Sequence, residues 1–158
     1  MTTLQGFHRK LYLTRYARKS LDKVTHIVPG ATVVTLVKDG KYPVREIATV
    51  DEVVHNIVYM TLQTADGIDY QVGDRFEQDI NMVDALLEEE WEQTADRAAM
   101  AIASVEPTAE RYEKSYKSFK HAIENFHLVP SGRILNGAGD DAEVTLFNCY
   151  VVAVDPAP

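Results

Sequence analysis

Hydrophobic positions along this chain change period several times, and each change marks a different kind of element. Over residues 4–19 the apolar side chains Leu4, Phe7, Leu11, Leu13 and Tyr16 fall near helical spacing, which predicts a short amphipathic helix weakened at its start by Gly6. Its apolar stripe requires a neighbour to cover it. Over 25–71 the pattern becomes that of strands. Pro29-Gly30 reads as a type II turn, with glycine supplying the positive φ. The β-branched run 32–37 is a strand and Asp39-Gly40 a hairpin signal. Residues 44–50 return as a second strand, opened by Pro43 where no ladder donor is needed. Residues 56–64 form a third, and Asp66-Gly67 turns into a shorter fourth around 68–72. So few short strands cannot fill a sandwich and predict a small SH3-like barrel or a curled meander.

The helical period then takes over. Val83, Leu86, Leu87, Trp91, Ala95, Ala98, Ile102 and Val105 trace one face of a helix over 83–105, with Asn81 as N-cap and acids in the early turns. Glu106-Pro107 ends it. A second helix over 108–127 carries the stripe Tyr112, Tyr116, Phe119, Ile123 and Phe126, read as core. The short break between the two predicts an antiparallel helical hairpin. Beyond it lie a Pro130-Ser131-Gly132 turn, the apolar pair Ile134-Leu135 and a glycine-rich loop over 136–141. The run 144–154 is almost continuously apolar and reads as a strand buried on both faces. Its flanking strands are expected from further sequence or from another polypeptide.

Composition fits a soluble globular protein: 158 residues, 46% apolar and 25% charged. No run reaches the roughly 18 apolar residues that cross a bilayer, and the N-terminus lacks the pattern of a secretory signal. With a single cysteine and no export signal, the expected compartment is the cytoplasm. A net charge of −8 argues against direct nucleic-acid binding. The charge is uneven, however. Arg9, Lys10, Arg15, Arg18, Lys19 and Lys23 face only Asp22 among the first 23 residues, whereas acids crowd around Trp91. The basic arm is either a solvated face or a dock for an acidic partner or a nucleotide phosphate.

Several chemistries lack their signatures. The glycine loop has no Lys-Ser/Thr of a P-loop, the five histidines show no i, i+4 pair or nearby cysteine, and no Gly-x-Ser-x-Gly elbow occurs. The lone Cys149 has no disulfide partner in the chain and cannot build a metal site alone. In an apolar strand such a thiol is ordinarily a small buried hydrophobe.

The order of residues points further. Val129-Pro130-Ser131-Gly132-Arg133-Ile134-Leu135, then Gly137-Ala138-Gly139, then Thr145-Leu146-Phe147-Asn148-Cys149-Tyr150-Val151-Val152 resembles the start of the catalytic barrel in adenosylcobalamin-dependent (class II) ribonucleotide reductases. More loosely, Leu13-x-Arg15-Tyr16-Ala17, Pro29-Gly30-x-Thr32-Val33-Val34 and Lys41-Tyr42-Pro43-Val44-Arg45-Glu46 are similar to a small N-terminal β-module in one branch of that family. The resemblance implies an α+β chain: an N-terminal helix (1–24), a small β-barrel-like module (25–80), an antiparallel helical hairpin (81–127) and the first strand of a ten-stranded α/β barrel (128–158) completed by other sequence.

It also implies a chemistry. A thiyl radical, generated with adenosylcobalamin, takes the 3′-hydrogen of a ribonucleotide, the 2′-hydroxyl leaves as water, and two cysteines supply the electrons as they form a disulfide. Cys149 matches the first reducing cysteine, Ser131 a position that contacts substrate phosphate, and Asn148 presents its backbone beside the cysteine. The second reducing cysteine, the radical cysteine, most of the cobalamin-binding surface and the effector-specificity loop are expected beyond Pro158, in the same polypeptide or a larger subunit, so the chain alone is expected to be inactive. The implied partners are a ribonucleoside di- or triphosphate, the remainder of the barrel and an external dithiol reductant such as thioredoxin, with no membrane and no direct nucleic acid. The competing reading is a non-catalytic adaptor that uses the small barrel and the helical hairpin to bind protein, with Cys149 as ordinary core.

Overall fold

The computed structural model describes residues 3–140 and 145–146. The chain forms two compact units, Met1–Thr94 and Ala95–Pro158. Helix α1 (Gly6–Arg15) opens the first unit and packs on strand β2 (Val44–Val54). The helix turns a different side inward than its apolar stripe suggests. Tyr12 and Leu13 are buried, while Phe7 and Leu11 stay exposed. A single-turn helix, α2 (Lys23–His26), follows, its first turn capped by Asp22, which accepts from the Thr25 N–H.

Strands β1 (Thr32–Lys38), β2, β3 (Ile57–Leu62), β4 (Arg75–Asp79) and β5 (Val83–Ala85) form one antiparallel sheet in the order β4-β3-β2-β1-β5. The chain is thus α+β, and the β-rich region is a four-stranded meander, β1 to β4, with β5 added beside β1 on the far edge. The sheet curls. Gln78 in β4 donates to the Leu36 carbonyl of β1 at 3.0 Å although β3 and β2 lie between them in the strand order. The predicted type II turn is present, with Gly30 at φ +86° and the Ala31 N–H bonded to the Val28 carbonyl.

Two predicted elements are corrected. Residues 68–72 are a loop, because the Asp66 carboxylate accepts from the backbone N–H groups of Ile68 and Asp69 and draws the chain into a local turn. The fourth strand is β4 instead, after Gly73 and Asp74 resume bonding to Leu62. Residues 83–85 are not the start of a helix. Val83 and Ala85 alternate with period 2 and fill the free edge of β1, opposite Thr35 and Val33. Asn81 is accordingly no helix N-cap; it lies in a 3-10 turn (Ile80–Met82) whose cap is Asp79.

One face of the sheet carries the core: Val33, Ala48, Val50, Val58, Met60, Leu62, Val83 and Ala85, joined by Ile27 and Ile80. By parity Glu46 and Thr35 belong to this same face, paired across β1 and β2. Glu46 is fully buried and answered by Lys10 of α1, whose Nζ lies 2.6 Å from Oε1, and by Thr64, which donates to Oε2 at 2.6 Å. The hydroxyl of Thr35 has no hydrogen-bond partner.

Helix α3 (Trp91–Ala103) begins in the first unit, where Trp91 packs edge-on against Tyr12, and continues into the second. Its start is fixed by Gln93, whose side-chain oxygen accepts from the Glu89 and Glu90 N–H groups. Helix α4 (Ala109–Glu124) is capped by Thr108. Polar side chains tie the two helices: Asp96 of α3 bonds Tyr116 and Lys120 of α4, and Glu106 in the connection bonds Arg111 and Ser115 of α4. The α4 stripe is less buried than its pattern predicts. Ile123 is buried, but Tyr112, Tyr116 and Phe119 are half-buried, and Phe126 sits past the helix end at φ +57°. Helix α5 (Gly132–Gly137) replaces the turn and apolar pair expected there. Among the described residues, no helix is long and apolar enough to cross a membrane. The predicted strand over 144–154 lies outside the described residues apart from Thr145 and Leu146, both exposed and in no regular element.

Candidate functional site

Of the three residues assigned a role from sequence, Ser131 is described, whereas Cys149 and Asn148 lie outside the described residues. Ser131 precedes α5 with extended backbone (φ −61°, ψ 155°), and its carbonyl accepts from the N–H groups of Ile134 and Leu135. Its hydroxyl makes no cap bond. A turn serine commonly spends its oxygen on a nearby backbone N–H; here the side chain, half-buried, is left for other use.

The segment behind Ser131 is held by a residue that sequence reasoning missed. Arg97 of α3 is buried, and its guanidinium donates to the carbonyls of Ala138 (2.5 Å) and Leu135 (2.8 Å). These groups sit at the C-terminal end of α5, where carbonyls have no partner within the helix and attract a cation. The glycine loop thereby gains a specific fastening. Gly139, at φ +72°, lies so close that a Cβ there would stand 2.9 Å from Arg97 Cγ and 3.3 Å from the Arg97 carbonyl oxygen. The loop uses this glycine for close approach to a helix.

A second polar cluster braces the same unit. Tyr116 and Lys120 both donate to one oxygen of Asp96, at 2.5 and 2.7 Å. Burial pushes the Asp96 carboxyl up, but the bonds from Lys120 and Tyr116 outweigh it and hold the group below its ordinary value. The bond to Asp96 in turn raises both Lys120 and Tyr116. All three keep their neutral-pH charge states, so the cluster acts as a clasp, without a group poised for proton transfer.

The described residues do not fit a corrin cofactor. Two surface grooves among the described residues hold about 440 and 540 Å³, the scale of a small ligand, and neither is lined by histidine. No group of three or more His, Cys, Asp or Glu side chains converges among the described residues. His121 and His127 meet edge-on at 5.5 Å without a third partner of that kind. No known protein family, curated protein or solved structure matches this chain.

Proposed function

We propose that this chain is the N-terminal portion, or the small subunit, of an adenosylcobalamin-dependent ribonucleotide reductase, and that Cys149 is one of its two reducing thiols. The observation that carries the reading is the ordered run from Val129 to Val152, with Ser131, the Gly137-Ala138-Gly139 loop and Asn148-Cys149 in sequence. Ser131, with its hydroxyl unspent, is available to donate to a substrate phosphate oxygen. Arg97 fixes the segment between Ser131 and the cysteine-bearing run by its two carbonyl bonds, which limits how far the phosphate contact can drift.

The reaction balances with two thiols. The ribonucleotide loses its 2′-hydroxyl as water and gains hydrogen at that carbon, while Cys149 and a second cysteine give up their hydrogens and form a disulfide. An external dithiol then restores both by exchange. The cofactor supplies the radical that starts each turnover; its seat belongs to other sequence, and no step here is routed through it. Substrate phosphate number, di- or tri-, stands as a property of the assembled site.

The test is reconstitution with the barrel-completing polypeptide, adenosylcobalamin, a dithiol and ribonucleotide, with deoxynucleotide as the readout. Cys149→Ser should reduce turnover to background without loss of assembly. Ser131→Ala should raise KM by about tenfold with kcat nearly unchanged, as expected for lost ground-state binding. Undiminished turnover after alkylation of Cys149 would remove the basis for the assignment.

A further inference from the structure

We propose that the groove between α1 and the β1–β2 hairpin binds a short acidic peptide with an apolar anchor, contributed by another polypeptide. This inference does not depend on the reductase reading. The groove holds about 540 Å³, and its walls include Phe7, Leu11, Pro43 and Val44 with Arg15 and Arg45. Phe7 is 72% exposed, and Tyr42, on the hairpin connection beside Pro43, is 76% exposed. These side chains are not required by the fold, since α1 already buries Tyr12 and Leu13.

Charge selects the occupant. The lining carries Lys10, Arg15 and Arg45 and no acid, in a chain of net charge −8. Helix α1 itself has three basic residues, Arg9, Lys10 and Arg15, and no carboxylate. Two of the lining cations are already committed: Lys10 to Glu46 at 2.6 Å, and Arg45 to Asp84 at 2.6 Å. Lys19, outside the lining, also reaches Asp84 at 3.2 Å. The three lining cations thus answer two carboxylates, and Arg15 is left to take a carboxylate from outside.

A polyphosphate fits less well. It calls for several uncommitted cations and hydroxyl or backbone donors converging on its oxygens. Here Arg15 alone among the lining cations has no ion pair within the described residues, and Thr14 spends its hydroxyl proton on the Lys10 carbonyl at 2.7 Å. The apolar part of the lining, by contrast, matches a leucine or phenylalanine side chain flanked by Asp or Glu. An arginine together with an aromatic ring, here Arg15 and Phe7, is the composition of energetic contacts in protein recognition.

The experiment uses the full chain, immobilised, to select from a displayed library of random twelve-residue peptides, followed by fluorescence anisotropy with a synthetic copy of an enriched sequence. Enriched peptides should combine Asp or Glu with Leu, Ile or Phe. Arg15→Glu and Phe7→Ser should each weaken binding at least about tenfold, equivalent to about 1.4 kcal/mol, and Arg15→Lys should retain most of it. Raising salt from about 0.05 to 0.5 M should weaken binding severalfold, because exposed ion pairs are screened. Both altered side chains are exposed, and Trp91 emission reports that each variant is folded. The proposal is overturned by no enrichment over a Phe7→Ser/Arg15→Glu double variant, or by enriched peptides without acids. It is equally overturned if inorganic triphosphate binds the groove in the peptide's place, which makes it a phosphate site. A dimer in sedimentation that Arg15→Glu dissociates would assign the groove to a second copy of the chain.

Discussion

Among the described residues, the two units bury different kinds of side chain. In the first, every strand is paired and one sheet face is mostly hydrocarbon, from Ile27 to Ala85. In the second, the buried apolar side chains are mostly small, Ala95, Ala98, Ala99, Ala103 and Ala138 with Ile123 and Leu135, and polar fastenings stand beside them: Asp96 to Tyr116 and Lys120, Glu106 to Ser115 and Arg111, Arg97 to the end of α5. Apolar burial is non-directional and scales with area, whereas a charged hydrogen bond depends on geometry and protonation. The first unit should therefore be sensitive to cavities and unpaired charges, and the second to pH and to single-atom misfits.

The comparison can be broken most sharply at Lys10. Lys10→Met leaves the Glu46 carboxylate buried without its cation and should cost the first unit about 3 kcal/mol, whereas Lys10→Met with Glu46→Leu should recover most of it. Trp91, the only tryptophan, reports this unit in urea titrations of its emission. Equal losses for the single and double variants would mean that the pair does not couple.

Next in size is Gly139→Ala. A left-handed backbone angle and contacts under 3.5 Å add, for about 2 kcal/mol, while Gly67→Ala, at φ +75° in open space, should cost about 1 kcal/mol. Hydrogen exchange of the α5 amides reads the first and Trp91 emission the second. Arg97→Met should follow at about 1.5 kcal/mol, through two carbonyls left without their donor. Its mark is faster exchange in α5 with the Trp91-reported transition unmoved.

The smallest effect is a pH profile. Because Asp96 is held below its ordinary value in the folded state, its contribution is present above the unfolded pKa and lost as pH falls through the folded one, below about pH 4. Lys120 and Tyr116 are raised, so their contribution is present below their unfolded pKa values and lost as pH rises through the folded ones, above about pH 10. Helical circular dichroism of Asp96→Asn should flatten the acid limb. The Trp91-reported acid limb should persist, since Asp22 and Asp66 in the first unit are held down by their bonds to Thr25 and Ile68. A simultaneous shift of both signals would contradict separate fastening.

Local rules made the turns legible: Pro29-Gly30 and Asp39-Gly40 announce backbone angles that glycine tolerates. The helix over 109–124 was legible from its period, while the cap at Thr108 emerged from the structure. Residues 83–87 misled because a short apolar run satisfies both periods, and the choice was made by a free strand edge far away in sequence. Glu46 had a signal that went unused. It shares parity with Val44, Ala48 and Val50, so a strand there points it inward. Arg97 had none, since nothing local tells a helix arginine that two carbonyls some forty residues on will receive it. For the candidate site, Ser131 was singled out by the resemblance alone, and the freedom of its hydroxyl emerges only from the hydrogen-bond pattern.

The inward carboxylate has a practical meaning for where the gene can be cut. An excised β-module beginning at residue 25 would look whole by its strands, yet it would carry an anion into its own interior with the neutralising amine left behind. The smallest autonomous piece of this half must therefore start before α1, and the opening helix belongs to the sheet as much as any strand does.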